Sequence, residues 1–249
     1  MPADELTSDA ITASFRLLQR RRGHRFSLDD LATAWEAARA APDAGTYLDL
    51  GCGVGSVLLM VAWRLPAARV HGVEAQELSF ALARRNVDEN GLAARTTLAL
   101  GDLRVLTPDW PHPRCALVTG TPPYLPPGTA LPSPDPQRAA ARIELRGGIE
   151  DYLAAAARVV TPEGRVVVCA DGRAPERVLR GAAAAGLAPL RRLDVIPRAG
   201  AAGPLFAVWT CAPVAAGAPP LEHHAVTMRD ARGDRTEESR AMRAFFGLA

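Results

Sequence analysis

Lysine is absent from this sequence, and all 29 basic residues are arginine, against 27 acidic residues. The absence of lysine excludes a Schiff base or any other lysine nucleophile. The net charge is only +2, and the isoelectric point near 8.5 lies below the range that is typical of dedicated nucleic-acid-binding domains. Charge alone therefore identifies no partner.

Cysteine is scarce, and long apolar runs are absent. The four cysteines, at positions 52, 115, 169 and 211, form no CxxC pair and have no histidine at metal-ligand spacing. We therefore expect neither a disulfide framework nor a metal site. No run approaches the roughly 18 apolar residues of a membrane-spanning helix, and the polar, acidic N-terminus is unlike a secretory signal. These absences predict a cytoplasmic protein that does not contact a membrane.

Residues 46–211 alternate short β-branched or apolar runs with longer amphipathic segments. This alternation is typical of an α/β fold in which helices flank a mostly parallel sheet. Only a turn-forming stretch separates the last two predicted strands, so we expect them to pair as an antiparallel hairpin. The expected fold is a Rossmann-like, seven-stranded sheet. Its strands are predicted at 47–50, 69–73, 96–100, 116–118, 165–169, 189–196 and 205–211, with helices near 54–64, 76–90, 148–160 and 174–185.

Three segments are predicted along the chain. A helical N-terminal segment at 1–44 precedes the sheet domain at 45–212, and a linker leads into a polar tail at 213–249. Within the sheet domain, seven prolines lie between Pro122 and Pro136, which excludes a helix interior or a central strand there. We expect this run, including the stretch 125–136, to be an irregular, exposed loop.

The first predicted strand ends in a glycine-rich turn that leads directly into a helix. Its glycines, Gly51, Gly53 and Gly55, allow the backbone to pass close to a ligand. A dinucleotide-binding turn requires its third glycine where Ser56 stands. This spacing disfavours a nicotinamide-dependent oxidoreductase, which stays as an alternative.

Acidic residues stand at the ends of three successive predicted strands. Asp49 precedes the glycine turn, where its charge suits a cationic amino-acid group, and Glu74 ends the second strand, where nucleotide folds place an acid on the ribose hydroxyls. Asp102 follows the third strand and is placed to accept from an adenine amine. With the glycine turn, these acids predict a pocket for S-adenosylmethionine, with Gln76 on the adenine and Leu103 beside Asp102. Alternatively, Asp49 and Asp102 only cap helices, and Glu74 is a surface charge.

The fourth predicted strand ends in Thr121-Pro122-Pro123-Tyr124. Methyltransferases that act on planar amines or amides carry Asn-Pro-Pro-Tyr at this place, and this sequence resembles them with threonine in place of asparagine. It resembles the bacterial adenine-N6 methyltransferases that modify valine tRNA beside the anticodon, which are class I enzymes. The resemblance extends to Gln19, the segment at 23–29, Ala141-Arg142, Glu144, Glu150-Asp151, Pro197-Arg198, Gly233 and the segment at 236–238.

The chemistry of an aromatic amine supports this motif independently. The lone pair of such an amine is delocalised into the ring, so the nitrogen is a poor nucleophile. Accepting both amine hydrogens, on the side chain of Thr121 and the carbonyl of Pro122, favours a pyramidal nitrogen and aims its lone pair at a methyl group. The consecutive Pro122 and Pro123 hold the turn rigid, and Tyr124 is expected to stack on the base.

The resemblance also implies a role for the N-terminal segment, and the chemistry of arginine suggests a further contact. Arg25, Phe26 and Asp29 belong to the segment that is expected to fold over the cofactor pocket. Arginine binds phosphate in a bidentate manner, so two clusters are hypothesised to contact tRNA, although a solvated face is the alternative. These clusters are Arg20, Arg21, Arg22 and Arg25, and Arg229, Arg232, Arg235, Arg240 and Arg243.

The sequence therefore predicts an S-adenosylmethionine-dependent N-methyltransferase that acts on an adenine amine in RNA, with tRNA as the expected substrate. Because Thr121 stands where the related enzymes have asparagine, a second kind of methyl acceptor is an alternative. It is a protein side chain or a small metabolite with a planar nitrogen. A binding module that has lost turnover is a further alternative, which the retention of Asp49, Glu74 and Asp102 together disfavours.

Overall fold

The computed structural model describes residues 5–106, 114–214 and 219–248. Its strands, β1 to β10, cover Leu6–Ala10, Arg16–Arg20, Thr46–Leu50, Arg69–Glu74, Thr96–Leu100, Cys115–Gly120, Val160–Asp171, Leu187–Ile196, Phe206–Pro213 and Glu222–Thr227. Its helices, α1 to α7, cover Leu28–Ala40, Ser56–Arg64, Glu77–Glu89, Pro136–Arg142, Ile149–Val159, Pro175–Ala184 and Glu237–Phe245. Short 3-10 helices lie at Ala93–Arg95 and Leu103–Val105.

One eight-stranded sheet runs through the molecule in the order β10-β8-β9-β7-β6-β3-β4-β5. Strands β5, β4, β3, β6 and β7 are parallel neighbours, and β9 pairs antiparallel with both β7 and β8. The predicted α/β class and the antiparallel hairpin of β8 and β9 are confirmed. The sheet has one strand more than predicted, because β10 adds in parallel to β8.

Helices cover both faces of this sheet, which gives two apolar layers. One layer packs α1, α2, α3 and α7 against the sheet, and the other packs α5 and α6. Because both faces are covered, nearly every residue of the central strands β3, β4 and β6 is buried, rather than every second one. Helix α2 shows the same effect, since seven of its nine residues are buried.

The prediction of a fully helical N-terminal segment is wrong. Strands β1 and β2 form an antiparallel hairpin, and only α1 is helical. The backbone groups at the outer edge of β2 are hydrogen-bonded by two asparagine side chains, at the end of α3 and directly after it, rather than by another strand. Asn86 bonds the N–H and C=O of Leu18 at 2.7 and 2.9 Å, and Asn90 bonds those of Arg16 at 2.9 and 2.8 Å. This pairing over about 70 residues of sequence stabilises a strand that local pattern does not indicate.

The prediction of a polar C-terminal tail is also wrong. Residues 215–218 of the predicted linker lie outside the described residues. Strand β10 joins the sheet edge, and α7 packs against α1. Met242 and Phe246 are fully buried in the apolar layer. The backbone carbonyl of Phe246 accepts a hydrogen bond of 2.8 Å from Ala13. The tail is thus part of the core and joins the N-terminal segment to it.

The proline-rich run is irregular as predicted, but it leads into a short helix that was not predicted. Asp135 caps α4 by accepting from the N–H of Arg138, and Pro136 occupies its first turn. The side chain of Leu131, within the run, is 97% exposed. Among the helices of the described ranges, none is long and apolar enough to cross a bilayer.

Replacement of Phe246 tests whether the tail belongs to the core. We expect Phe246→Ala to lower the free energy of unfolding by about 3–5 kcal/mol, because it removes a fully buried ring. Phe246→Leu should cost less than about 1.5 kcal/mol, because it keeps an apolar side chain there. Denaturant unfolding measures both. A Phe246→Ala protein as stable as the wild type would contradict the placement of α7.

Candidate functional site

An open cleft lies at the carboxyl ends of β3, β4, β5 and β6, with about 920 Å³ of empty space that includes its solvent-filled mouth. Parallel α/β sheets bind ligands at this edge. The cleft brings together most of the residues that the sequence singles out. These are Phe26, Gly51, Gly53, Glu74, Gln76, Asp102, Leu103, Thr121 and Pro123.

The glycine turn after β3 forms one wall of the cleft. Gly51, Gly53 and Gly55 all have positive φ, at +60°, +58° and +93°, which disfavours other residues there. A Cβ on Gly51 would overlap the hydroxyl of Tyr152, whereas a Cβ on Gly53 would meet no atom within 4 Å. The turn therefore packs on Tyr152 at one point and leaves space for a ligand at the other. Gly55 itself does not line the cleft.

The carboxylate of Glu74 fixes the glycine turn to the end of β4. One oxygen accepts from the N–H of Gly53 at 2.9 Å, and the other accepts from the N–H of Gln76 at 2.7 Å. Burial raises the pKa of Glu74, and the backbone N–H donors oppose this rise. Each carboxylate oxygen has a second lone-pair direction, so Glu74 retains acceptor capacity toward the cleft that it lines.

Asp49 lies beneath the glycine turn and does not line the cleft, which corrects the expectation of direct ligand contact. Its carboxylate accepts from the hydroxyl of Thr119 at 2.6 Å, and Thr119 in turn lies 2.8 Å from the hydroxyl of Tyr47. The N–H of Leu58, in the first turn of α2, also bonds Asp49. Burial raises the pKa of Asp49 to about 7, although these donors favour the ionised form. The capping alternative describes the contacts of Asp49 correctly.

Asp30 lines the cleft but was not singled out from the sequence. It stands in the first turn of α1, where its carboxylate accepts from the N–H of Ser27 at 3.0 Å as part of a capping box. Burial, and then the charge of Asp29, raise its pKa well above the usual range. The spacing of Ser27 and Asp30 is the signal that would have located this helix start, but it does not show that the cleft lies opposite.

Asp102 lines the cleft at its exposed side and is already paired. Its carboxylate bonds the guanidinium and the backbone N–H of Arg104. These hydrogen bonds lower the pKa of Asp102, so the carboxylate is held ionised. Asp102 thus caps the 3-10 helix at Leu103–Val105 and faces the cleft at once.

The four residues of the acceptor motif do not all face the cleft. Thr121 and Pro123 line it, whereas Pro122 is buried and Tyr124 lies outside. Among the described residues, none bonds the Thr121 hydroxyl or donates to the Pro122 carbonyl. Tyr124 donates to Asp29 at 3.1 Å and lies 2.7 Å from the sulfur of Cys169. The expected stacking of Tyr124 on a base is therefore not the conformation seen, because its ring packs against the apolar layer.

The N-terminal arginines are held within the protein. Arg25, which does not line the cleft, pairs with Asp9 at 3.0 Å and donates to Thr7. Arg20 is buried and pairs with Asp135 at 2.9 Å. In the C-terminal cluster, Arg229 donates to the carbonyl of Gly233, and Arg240 donates to that of Arg235. These contacts weaken the hypothesis that either cluster is a free phosphate-binding surface.

Several further residues complete the cleft, and sequence reasoning missed them. Tyr152 projects from α5 under Gly51, and Gln137 of α4 donates to Ser79 at 3.1 Å while it accepts from Arg20 at 3.1 Å. His24 and Arg146 also line the cleft. Local pattern offers no signal for Tyr152, Gln137 or Arg146, since each reaches the cleft from an element remote in sequence. His24 belongs to the segment at 23–29 that is expected to fold over the pocket. Among the described residues, no cluster of His, Cys, Asp and Glu suits a metal ion.

Comparison with known proteins agrees with this geometry. A family model described as a methyltransferase domain matches residues 48–126, which include the glycine turn, the strand-end acids and the acceptor motif. Among solved structures, a predicted O-methyltransferase of Agrobacterium tumefaciens superposes with a TM-score of 0.64 at 17% identity, over 89% of this chain and 98% of the other. The chain has the Rossmann-like fold of the class I methyltransferases. It carries the Rossmann-like sheet of that class with an antiparallel hairpin.

Sequence relatives narrow the resemblance and leave the acceptor open. A tRNA1(Val) (adenine(37)-N6)-methyltransferase of Porphyromonas gingivalis is 31% identical over 141 residues, which are 55% of this chain and 54% of the relative. A release factor glutamine methyltransferase of Geobacter sulfurreducens is 42% identical over 91 residues, which are 36% of this chain and 30% of the relative. The chain spans about half the length of the tRNA methyltransferases it matches. The chain is similar to both groups over these segments.

The cleft fits S-adenosylmethionine, the cofactor of class I methyltransferases. The open space beside Gly53 admits a ligand against the backbone. The buried acids Asp30, Asp49 and Glu74 lie on or beneath the cleft floor, where they favour the sulfonium and ammonium charges of this cofactor. Gln76 and Leu103 line the cleft beside Glu74 and Asp102.

The raised pKa of Asp49 predicts how stability depends on pH. The unfolded chain releases this proton near pH 3.8, whereas the folded protein holds it to about 7. The folded state thus binds more protons in that window, so the free energy of unfolding falls as pH rises. The difference corresponds to about 4 kcal/mol.

Asp49→Asn should therefore flatten the pH dependence of stability between about pH 4 and 8. Urea unfolding at several pH values measures this. The charge of Asp49 also helps to raise the pKa of Asp30, so the substitution weakens the contribution of Asp30 in the same direction. The exposed Asp43→Asn is the control and should run parallel to the wild type. Parallel curves for Asp49→Asn would contradict the burial of an ionisable Asp49.

Proposed function

We propose that this protein transfers a methyl group from S-adenosylmethionine to the exocyclic amine of an adenine in RNA, and that tRNA is the substrate. The observation that carries the proposal is the single cleft that joins the glycine turn and Glu74 to Thr121 and Pro123. The relatives named as tRNA adenine-N6 methyltransferases support the acceptor. The cofactor supplies the electrophilic methyl group when it is bound.

The cofactor is expected to be held by the two strand ends that Glu74 joins. Glu74 would accept from the ribose hydroxyls with its remaining lone pairs, and Gln76, Asp102 and Leu103 would surround the adenine. Gly51 and Gly53 leave the backbone open to the amino-acid portion. Asp49 would act from beneath the turn, through its charge rather than through contact.

The acceptor amine is expected to lie between Thr121 and Pro122. Neither the Thr121 hydroxyl nor the Pro122 carbonyl has a hydrogen-bond partner among the described residues, so both can accept its two hydrogens. This geometry localises the nitrogen lone pair and turns it toward the cofactor side of the cleft. The proton that leaves the methylated amine passes to water, so the reaction requires positioning and electrostatics but no dedicated base.

Threonine reaches less far than the asparagine of related motifs. The Thr121 hydroxyl has one hydrogen of its own, which must point away from the amine for the oxygen to accept. An amine bound here would therefore sit closer to β6 than in an asparagine enzyme. With the amine in this closer position, the threonine motif supports the same chemistry as the asparagine motif.

A side-chain amide in a protein is the second candidate acceptor. Release factor and ribosomal protein uL3 glutamine methyltransferases are among the relatives, at 42% identity over 91 residues and 32% identity over 137 residues. A primary amide has the same planar, delocalised nitrogen with two hydrogens. It would meet the same pair of acceptors, so the two substrates differ only outside the motif.

Transfer of labelled methyl groups from S-adenosylmethionine into separated fractions of unmodified extract tests the proposal. We expect label in RNA, recovered as N6-methyladenosine. Label in protein alone would move the assignment to the second candidate. Tyr124→Phe is a useful control because it removes only the bonds to Asp29 and Cys169, which lie outside the cleft.

Variants of Thr121 test the motif itself. Thr121→Val keeps the shape but removes the acceptor, so kcat should fall by about 10²-fold while the affinity for cofactor is unchanged. Thr121→Asn should keep or raise transfer to adenine. Complete loss in Thr121→Asn, with cofactor still bound, would show that the pocket is built for another group.

A further inference from the structure

The charge distribution of the cleft poses a problem for a polyanionic substrate. Asp30, Asp49 and Glu74 lie on or beneath the floor, where they suit a cationic cofactor and repel phosphate. An RNA that inserts one base at Thr121 keeps its flanking phosphates at the mouth. Cations at the mouth are therefore needed to hold them.

Many arginines near the cleft are already paired within the protein. Arg20 bonds Asp135 and Gln137, and Arg104 bonds Asp102. Arg177, behind the acceptor motif, bridges Glu144 and Glu150 at 2.6 Å each. An arginine held between carboxylates has little capacity left for phosphate.

Three arginines differ from these, and we call Arg138, Arg142 and Arg146 the rim arginines. Their side chains are exposed and form no hydrogen bond or ion pair within the part of the chain that the structure describes. Arg138 and Arg142 are four residues apart on α4, which places them on one face. Arg146 follows beyond the end of that helix and lines the cleft.

The rim arginines act on the cleft through their charge. Burial lowers the pKa of His24, a cleft residue, and the positive charges of Arg138 and Arg142 lower it further, against the opposing effect of Asp29. Burial raises the pKa of Glu74, and the charge of Arg146 is among the effects that oppose this rise. Hydrogen bonds from Arg104 lower the pKa of Asp102, and the charge of Arg146 adds to them. All three cations are thus within electrostatic reach of the cleft.

The backbone that carries the rim arginines is joined to the acceptor motif. Leu125, directly after Tyr124, donates to the carbonyl of Arg142 at 3.1 Å and accepts from the N–H of Glu144 at 3.0 Å. Gln137 fixes the buried face of α4 to Ser79. These hydrogen bonds fix the distance from the rim arginines to Thr121. A fixed distance is required if the arginines are to hold the phosphates while the target base lies at Thr121.

From these observations we propose that the rim arginines are the phosphate-binding surface that holds single-stranded RNA around the target adenine. The proposal rests on the proposed function, since it assumes an RNA acceptor. It replaces the two arginine clusters expected from the sequence, whose members are largely engaged within the protein.

The test compares Arg138→Ala/Arg142→Ala with Arg69→Ala/Arg84→Ala. The control removes the same charge from two exposed arginines, one at the amino end of β4 and one on α3, neither of which lines the cleft. The probe is unmodified total tRNA, and its binding to protein saturated with S-adenosylhomocysteine is measured over a range of salt. Binding of S-adenosylhomocysteine itself reports the fold of each variant.

We expect the rim variant to bind tRNA at least tenfold more weakly, and the salt slope of its affinity to fall in magnitude by about 1.4, or about 0.7 for each lost contact. The KM for tRNA should rise at least tenfold, with kcat within twofold of the wild type. Adding Arg146→Ala should lower the slope by about a further 0.7. The control should match the wild type.

Two results would overturn the proposal, and they are distinguishable. If the wild type methylates tRNA and the rim variant keeps the KM and salt slope of the control, the rim arginines do not bind phosphate and the proposed function stands. If the wild type binds S-adenosylhomocysteine but labels protein and no RNA, the proposed function fails and the phosphate surface fails with it.

Discussion

The carboxylate of Glu74 makes the interaction on which the cleft depends. By accepting from Gly53 and Gln76 at once, it joins the turn after β3 to the loop after β4. Parallel strands alone would bring these segments to the same edge of the sheet but would not fix their backbones. Glu74 can join these segments and still accept hydrogen bonds from a ligand, because a carboxylate has acceptor directions left after two bonds.

The side chains that are buried against the two segments joined by Glu74 determine the shape and charge of the rest of the cleft. Tyr152 fills the space that a side chain on Gly51 would occupy, and Asp49 bonds the first turn of α2 from below. Burial raises the pKa of Asp30, Asp49 and Glu74. A cation in the cleft favours the ionised form of these acids and is attracted by it, whereas a polyanion is left to the rim.

The α/β class, the terminal hairpin and the glycine turn could be predicted because local pattern determines them. Strand periodicity and turn residues act over a few positions, so a sequence displays them directly. The hairpin of β1 and β2 could not be predicted, because the backbone at the free edge of β2 is hydrogen-bonded by residues remote in sequence. These are Asn86 of α3 and Asn90, which directly follows that helix. The same holds for β10, whose partner β8 is distant in sequence.

Individual side chains were predicted less well than the elements that carry them. Asp49, Glu74 and Asp102 stand at strand ends as expected, but only Glu74 and Asp102 line the cleft. Tyr124 follows its motif yet points to Asp29 and Cys169, because a ring next to an apolar layer gains more from burial than from solvent. The start of α4 was not predicted, although Asp135 before Pro136 is a common helix beginning.

The most direct test of this account is a crystal structure of the protein with S-adenosylhomocysteine and a short RNA that contains the target adenosine. The account predicts that Glu74 bonds the ribose of the cofactor, and that the adenine amine lies about 2.7–3.2 Å from both the Thr121 hydroxyl and the Pro122 carbonyl. A cofactor that avoids the glycine turn, or an amine bound away from Thr121, would contradict it.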